Sequence, residues 1–256
     1  MITFDEAWLK ERAGELQASL TFLTRLRFTP AAPAGGAAIA QGGWAFPIVG
    51  LIVGAIGALV YWLAHRFGLP PLPCAALSVA ATMLVSGCLH EDGLADTVDG
   101  FGGGQTREQK LDIMRDSRTG AYGVCALVLT IILRVSALAS LATPVLVVPA
   151  LLAAHAAARG VLPAFMFLIP PARASGLSAA AGQPPRESAG AASALGVVIL
   201  CLCLGPWLGL GALVALAVAA AVLGWLSLTQ IEGQTGDVLG AVEQVGEIVV
   251  LLIALI

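Results

Sequence analysis

Residues 90–123 read HEDGLADTVDGFGGGQTREQKLDIMRDSRTGAYG and gather charge in a chain otherwise poor in it. If the stretch continues as a helix after His90, Asp92, Asp96 and Asp99 fall at i, i+4 and i+7 and share one face. Like charges at that spacing repel, so a cation is the natural occupant of the face. Oxygen ligands select a hard divalent ion. Mg²⁺ keeps several waters and takes its remaining ligands from substrate phosphates. Asp92, Asp96 and Asp99 are therefore candidate metal ligands at a diphosphate site.

The glycines that follow, Gly102 and Gly103 with Gly104, would let backbone N–H groups approach an anion closely. Arg107, Lys110, Arg115 and Arg118 can then meet phosphate oxygens, the arginines in bidentate fashion. His90, Glu91 and Asp116 are the candidate proton acceptors for such a transfer. A solvated acidic loop whose arginines pair with its own carboxylates is the plain alternative. The position of the stretch between two apolar segments, where ionisable groups are costly, argues against it.

A second acidic group lies at Thr235, Gly236, Asp237, Glu243 and Glu247. Asp237 could cap a helix and Glu243 could be solvated, but Glu247 is followed by nine apolar residues and needs a partner. Together the clusters offer Asp92, Asp96, Asp99, Asp237, Glu243 and Glu247 to one or two Mg²⁺ ions bridging a diphosphate. Arg134 and Arg159 sit inside apolar segments, and a phosphate or carboxylate partner is expected for Arg159. His65 and His155 read as packed or interfacial.

The elements that must hold these residues are membrane helices. Of 256 residues, 58% are hydrophobic and 11% charged, against about a quarter charged in soluble domains, and the mean hydropathy is +0.91. The expected fold is all-α, a polytopic integral-membrane bundle of about six to seven transmembrane helices in a single domain over 1–256. Segments near 44–64, 74–89, 121–141, 145–169, 191–204 and 208–228 read as spans. The segment 238–256 is apolar but carries Glu243 and Glu247, and it is expected to pack within the bundle. Residues 1–35 mix Trp8, Leu16, Leu20 and Phe22 with Lys10, Arg12, Arg25 and Arg27, as an interfacial amphipathic helix followed by a Pro/Gly link does. The stretch 90–120 is expected as an acidic and basic active-site loop.

Five cysteines in apolar runs read as small buried hydrophobes, without metal-site spacing. No cleavable secretory signal is expected. Ten of the thirteen lysines and arginines fall in the N-terminal segment, 90–120 and 170–190. Those segments are therefore expected to face the cytoplasm. The net charge of −3 is small and unevenly placed and by itself argues neither for nor against an anionic partner; no nucleic acid is expected.

The blocks HEDGLADTVDGFGGG, MRDSRTGAYG and GQTGDVLGAVEQVGE closely resemble the cobalamin synthase, or adenosylcobinamide-GDP ribazoletransferase, family. So do FLTRLRFTP, FPIVGLIVG and the Arg159 to Pro163 segment followed by PARASGL, so that the resemblance covers nearly the whole chain. It implies a Mg²⁺-dependent enzyme of a bacterial inner membrane, with its active site facing the cytoplasm. Such an enzyme joins adenosylcobinamide-GDP to α-ribazole or α-ribazole 5′-phosphate with release of GMP. Membrane lipid is its surround, and a homo-oligomer is compatible with it. Two rivals fit less well. CDP-alcohol phosphotransferases resemble D-G-x-x-A-R followed by spaced aspartates, whereas here Asp92-Gly93-Leu94-Ala95 leads to Asp96. A cation transporter would place its acids in mid-span with internal repetition, and no convincing repeat is present.

Overall fold

The computed structural model describes residues 6–26 and 36–256, so most of the expected link at 27–35 lies outside the described residues. Its helices are α1 (Glu6–Leu23), α2 (Gly36–Gln41), α3 (Phe46–Arg66), α4 (Pro71–Ser86), α5 (Leu89–Gly103) and α6 (Arg107–Ile113). They continue as α7 (Ala121–Leu141), α8 (Pro144–Leu168), α9 (Leu177–Ala181), α10 (Arg186–Leu204), α11 (Pro206–Ile231) and α12 (Gly236–Ile253). Prolines 47, 71, 144 and 206 open α3, α4, α8 and α11, at positions where the missing N–H has no helical partner to lose.

Among the described residues, five segments are long and apolar enough to cross a membrane: 38–66, α7, α8, α10 and α11. A sixth forms if α4 and α5, bent by 89° at their junction, are one broken span. All seven apolar segments of the sequence reappear as helices. The seventh, α12, is enclosed by the bundle, as its glutamates require. The centre is α8, whose apolar window is 67% buried, whereas those of α7 and α11 are 28% and 22% buried and turn Val128, Ile132, Val218 and Trp225 outward. Gly50 and Gly54, one turn apart on α3, let that helix lie on α8, because a side chain at Gly50 would strike the His155 carbonyl. α1 docks beside the start of α3, where buried Glu15 accepts from Trp44 Nε1 at 2.5 Å.

The 90–120 stretch is not a loop but two helices. Gly87 and Cys88, both left-handed (φ 66° and 56°), end α4 and turn the chain into α5. The start of α5 lies beside the end of α1, where the Arg25 N–H donates to the Val85 carbonyl at 2.7 Å. Its other end meets α6, which Arg107 ties to the end of α11 through the Ile231 carbonyl at 3.1 Å. Both ends therefore lie at one face of the bundle, and α5 runs across that face outside the spanning segments. The cysteines are all free, but only Cys74 is buried. Cys88 and Cys125 are exposed, Cys88 in the turn between α4 and α5.

α5 crosses α12 with backbone against backbone. A side chain at Gly93 would stand 2.8 Å from the Asp237 carbonyl oxygen, and one at Gly240 would stand 2.9 Å from that of His90. Gly240→Val is expected to lower stability by about 1–3 kcal/mol, because overpacking pushes the two helices apart. Gly14→Ala at an exposed position of α1, where nothing lies within 4 Å, should leave stability level or raise it slightly. Thermal unfolding of the two variants in one detergent checks this; equal melting would contradict the close crossing.

Candidate active site

The glycine crossing sets the first turns of α5 beside the first turn of α12 and so brings Asp92 and Asp96 to Asp237. Asp92 is exposed, while Asp96 and Asp237 are half-buried. Burial, with the charges of Asp92, Asp237 and Asp99, pushes the Asp96 carboxyl up to about 7 against the opposing pull of Arg173. Burial also raises Asp237, opposed by Arg173 and the Thr235 hydroxyl. Thr235 caps α12 by accepting from the Val238 N–H at 3.3 Å.

Arg173, which the sequence reading did not single out, is the cation of this rim. Its Nη2 lies 3.3 Å from Asp237 Oδ2, and its buried Nη1 has no hydrogen-bond partner among the described residues. A short parallel pairing delivers it. The Ala172 N–H donates to the Gln234 carbonyl and the Gln234 N–H to that of Pro170, both at 2.8 Å. The available signal was that Arg173 is the sole cation of residues 170–185.

Asp99 has a different task. Its carboxylate is buried and accepts the N–H groups of Gly120 at 2.7 Å and Gly123 at 2.9 Å, capping α7, which lacks a side-chain cap of its own. The glycines do not cradle an anion either. Gly102 and Gly103 form the C-terminal end of α5, where carbonyls rather than N–H groups are unpaired, and a side chain at Gly102 would press on the Tyr122 ring.

The expected phosphate-binding cations are engaged elsewhere. Arg107 donates to the carbonyls of Ala172 at 2.5 Å and Ile231 at 3.1 Å, and Lys110 Nζ donates to Gln230 Oε1. The bonds to Ile231 and Gln230 hold α6 against the end of α11. Arg115 lies 3.8 Å from Asp112 on the surface. Arg118 clamps Asp116, with Nη2 2.5 Å from Oδ2, and holds that carboxyl below the usual carboxylate range. Asp116 thus stands apart from His90 and Glu91 as the partner of an exposed arginine.

His90, Glu91, Glu243 and Glu247 lie beneath the rim, each no more than 3% exposed, with Arg134, His155 and Arg159. Arg134 Nη1 donates to Glu91 Oε1 at 2.9 Å and to Gln244 Oε1 at 3.0 Å, and its Nη2 lies 3.0 Å from Glu247 Oε2. Arg159 Nη1 lies 2.5 Å from Glu243 Oε1 and 2.9 Å from Glu247 Oε1. His155 touches Glu247, and His90 Nδ1 lies 3.5 Å from Glu243 Oε2. The expected carboxylate partner of Arg159 is therefore present, as both Glu243 and Glu247. His155 is a member of the network rather than a merely packed side chain. Ligand atoms of His155, Glu243 and Glu247 lie within 4.8 Å of one another, yet the Arg159 guanidinium already fills the place a cation would take. The carboxylates of the rim, which repel one another, are not drawn together that closely.

A model of the cobalamin-5-phosphate synthase family matches residues 15–255. A Bradyrhizobium diazoefficiens protein named adenosylcobinamide-GDP ribazoletransferase is 55% identical over 240 residues, covering 94% of this chain and 92% of its own. Proteins of the same name from Mesorhizobium japonicum and Azorhizobium caulinodans are 52% and 44% identical, covering 92% and 83% of this chain and 90% and 83% of their own. No solved structure matches the chain.

The crowding of carboxylates at the rim predicts a pH dependence. With its carboxyl raised from 3.8 to about 7, folded Asp96 keeps its proton where the unfolded chain has lost it. Stability contributed at this position is therefore lost as pH climbs from about 4 to about 7, and the loss levels off above that. Unfolding midpoints in metal-free buffer should follow this slope, and Asp96→Asn should flatten it. An equal slope in the variant would place the titration elsewhere.

Proposed function

The chain belongs to the cobalamin-5-phosphate synthase family, and on that premise we propose that it joins adenosylcobinamide-GDP to α-ribazole or its 5′-phosphate, releasing GMP. The observation that carries the placement of the reaction is the rim: Asp92, Asp96 and Asp237 within electrostatic reach of one another, with Arg173 on Asp237 through Nη2 and its buried Nη1 unpartnered among the described residues. That donor set suits Mg²⁺, which is commonly held by one or two carboxylates together with substrate phosphates. Asp92 and Asp237 would hold the ion, leaving the Asp96 carboxyl beside them. When bound, it supplies neutralisation of the diphosphate and of the phosphate that leaves.

In the transfer, a ribose hydroxyl oxygen of the acceptor forms a bond to the phosphorus nearer the cobinamide. The bond from that phosphorus to the bridging oxygen breaks, and GMP leaves with the oxygen. Asp96 is the rim carboxylate held closest to neutrality, and it accepts the hydroxyl proton. Arg173 Nη1 faces the departing phosphate charge, and Nη2 remains on Asp237. His90 and Glu91 lack the exposure to meet substrate, and they position α5 from below.

The five or six apolar helices support a multi-pass membrane protein. The rim opens on the face that carries most lysines and arginines. This supports a cytoplasmic active site in a bacterial inner membrane. A transport pathway is not favoured, because the buried acids are matched by arginines rather than lining a path.

The test is GMP release by purified protein in nanodiscs. It should require the acceptor and Mg²⁺ and fall roughly hundredfold or more in Asp92→Asn, Asp96→Asn and Asp237→Asn. Arg115→Ala and Arg118→Ala should stay within about threefold of wild type, since their ion pairs are exposed. No GMP under any metal condition would overturn the assignment.

A further inference from the structure

An open cleft of about 440 Å³ lies between the end of α1 and the start of α5. Its lining includes Phe22, Arg25, Cys88, Leu89 and Asp92, so that Asp92 belongs to both the cleft and the rim. The volume falls within the usual range for a small-molecule site. Phe22 and Leu89 offer an apolar wall to a flat base. Cys88, a non-glycine residue in left-handed backbone, forms part of the turn that shapes the floor.

Arg25 is the cleft's cation, exposed at its side chain and anchored through its backbone. Its N–H is bonded to the Val85 carbonyl, and its side chain passes so close to Gly87 that a Cβ there would lie 2.7 Å from Arg25 Cγ. Unlike Arg107, Arg115 and Arg118, its guanidinium has no carboxylate partner among the described residues, although Asp92 lines the same cleft. A permanently charged, unpaired fork next to a reacting centre matches a phosphate monoester with two charge-assisted bonds, where a neutral hydroxymethyl group accepts only a single, weaker one.

Resting on the transferase reading above, we propose that this cleft is the acceptor subsite and that Arg25 binds the acceptor's 5′-phosphate. The ribose enters beside Asp92, and its attacking hydroxyl is directed to the rim. A lipid headgroup near the interface offers the same phosphate chemistry, and the experiment separates the two sources.

The ratio of kcat/KM for α-ribazole 5′-phosphate to that for α-ribazole is measured in nanodiscs of phosphatidylcholine alone and with added phosphatidylglycerol. Arg25→Ala should lower that ratio about tenfold or more through the KM of the phosphorylated acceptor, and Arg25→Lys should recover part of it. An unchanged ratio in both variants, with transfer still measurable, overturns the assignment of Arg25 alone. An equal loss for both acceptors that follows phosphatidylglycerol content assigns the guanidinium to lipid and overturns the subsite. Wild-type protein that transfers to neither acceptor overturns the transferase reading itself.

Discussion

Three glutamates and two arginines buried inside one bundle set the terms for the rest of this structure. Glu91, Glu243 and Glu247 face Arg134 and Arg159 at distances of 2.5–3.0 Å, and His155, Thr82 and Gln244 add hydrogen bonds to the same groups. Uncompensated charge in such an interior is so unfavourable that removing one partner of a buried pair costs about 3–5 kcal/mol. The five helices that contribute, α4, α5, α7, α8 and α12, are therefore held in one register. Apolar packing alone would allow small slips between them, but ion pairs at these distances do not.

The network faces inward, and its consequence appears on the opposite side of the same two helices. Glu91 and Asp92 are neighbours in sequence, yet one is bonded to Arg134 in the core and the other lines the open cleft. On α12, Asp237 occupies the first turn at the rim, while Glu243 and Glu247 descend into the core. Gly93 and Gly240 let the helices touch where the two sets meet, so the spacing of the rim is fixed from below by buried charge. The acids that do the binding need not themselves be rigidly paired.

Much of the fold was legible in the sequence, because apolar runs of membrane length have few alternatives and prolines mark their starts. The spacing of Asp92 and Asp96 and the presence of a second acidic cluster at Asp237 were also readable. What the sequence could not show is which polar groups pair across long separations. Glycines followed by cations suggested a phosphate cradle, but Gly102 lies at a helix end that presents carbonyls, and Arg107 bonds to α11 across 124 positions. Asp99 shares the face of its neighbours by spacing yet caps a helix 21 residues on. Arg173 was passed over because a lone arginine in a loop carries no pattern until Gln234 pairs with its strand-like neighbours. Arg134 and Arg159 were conspicuous as charges in apolar segments, and their partners were identifiable only by a need for negative charge.

The central claim is that the cation-binding acids come from α5 and α12 together, at their glycine crossing. Substituting Fe²⁺ for Mg²⁺ and generating hydroxyl radicals locally would cut the backbone next to the bound ion. The account predicts paired cuts, one near residues 92–96 and one near residue 237, both suppressed by excess Mg²⁺. Cuts confined to residues 102–118, or to the buried turn at 243–247, would contradict it.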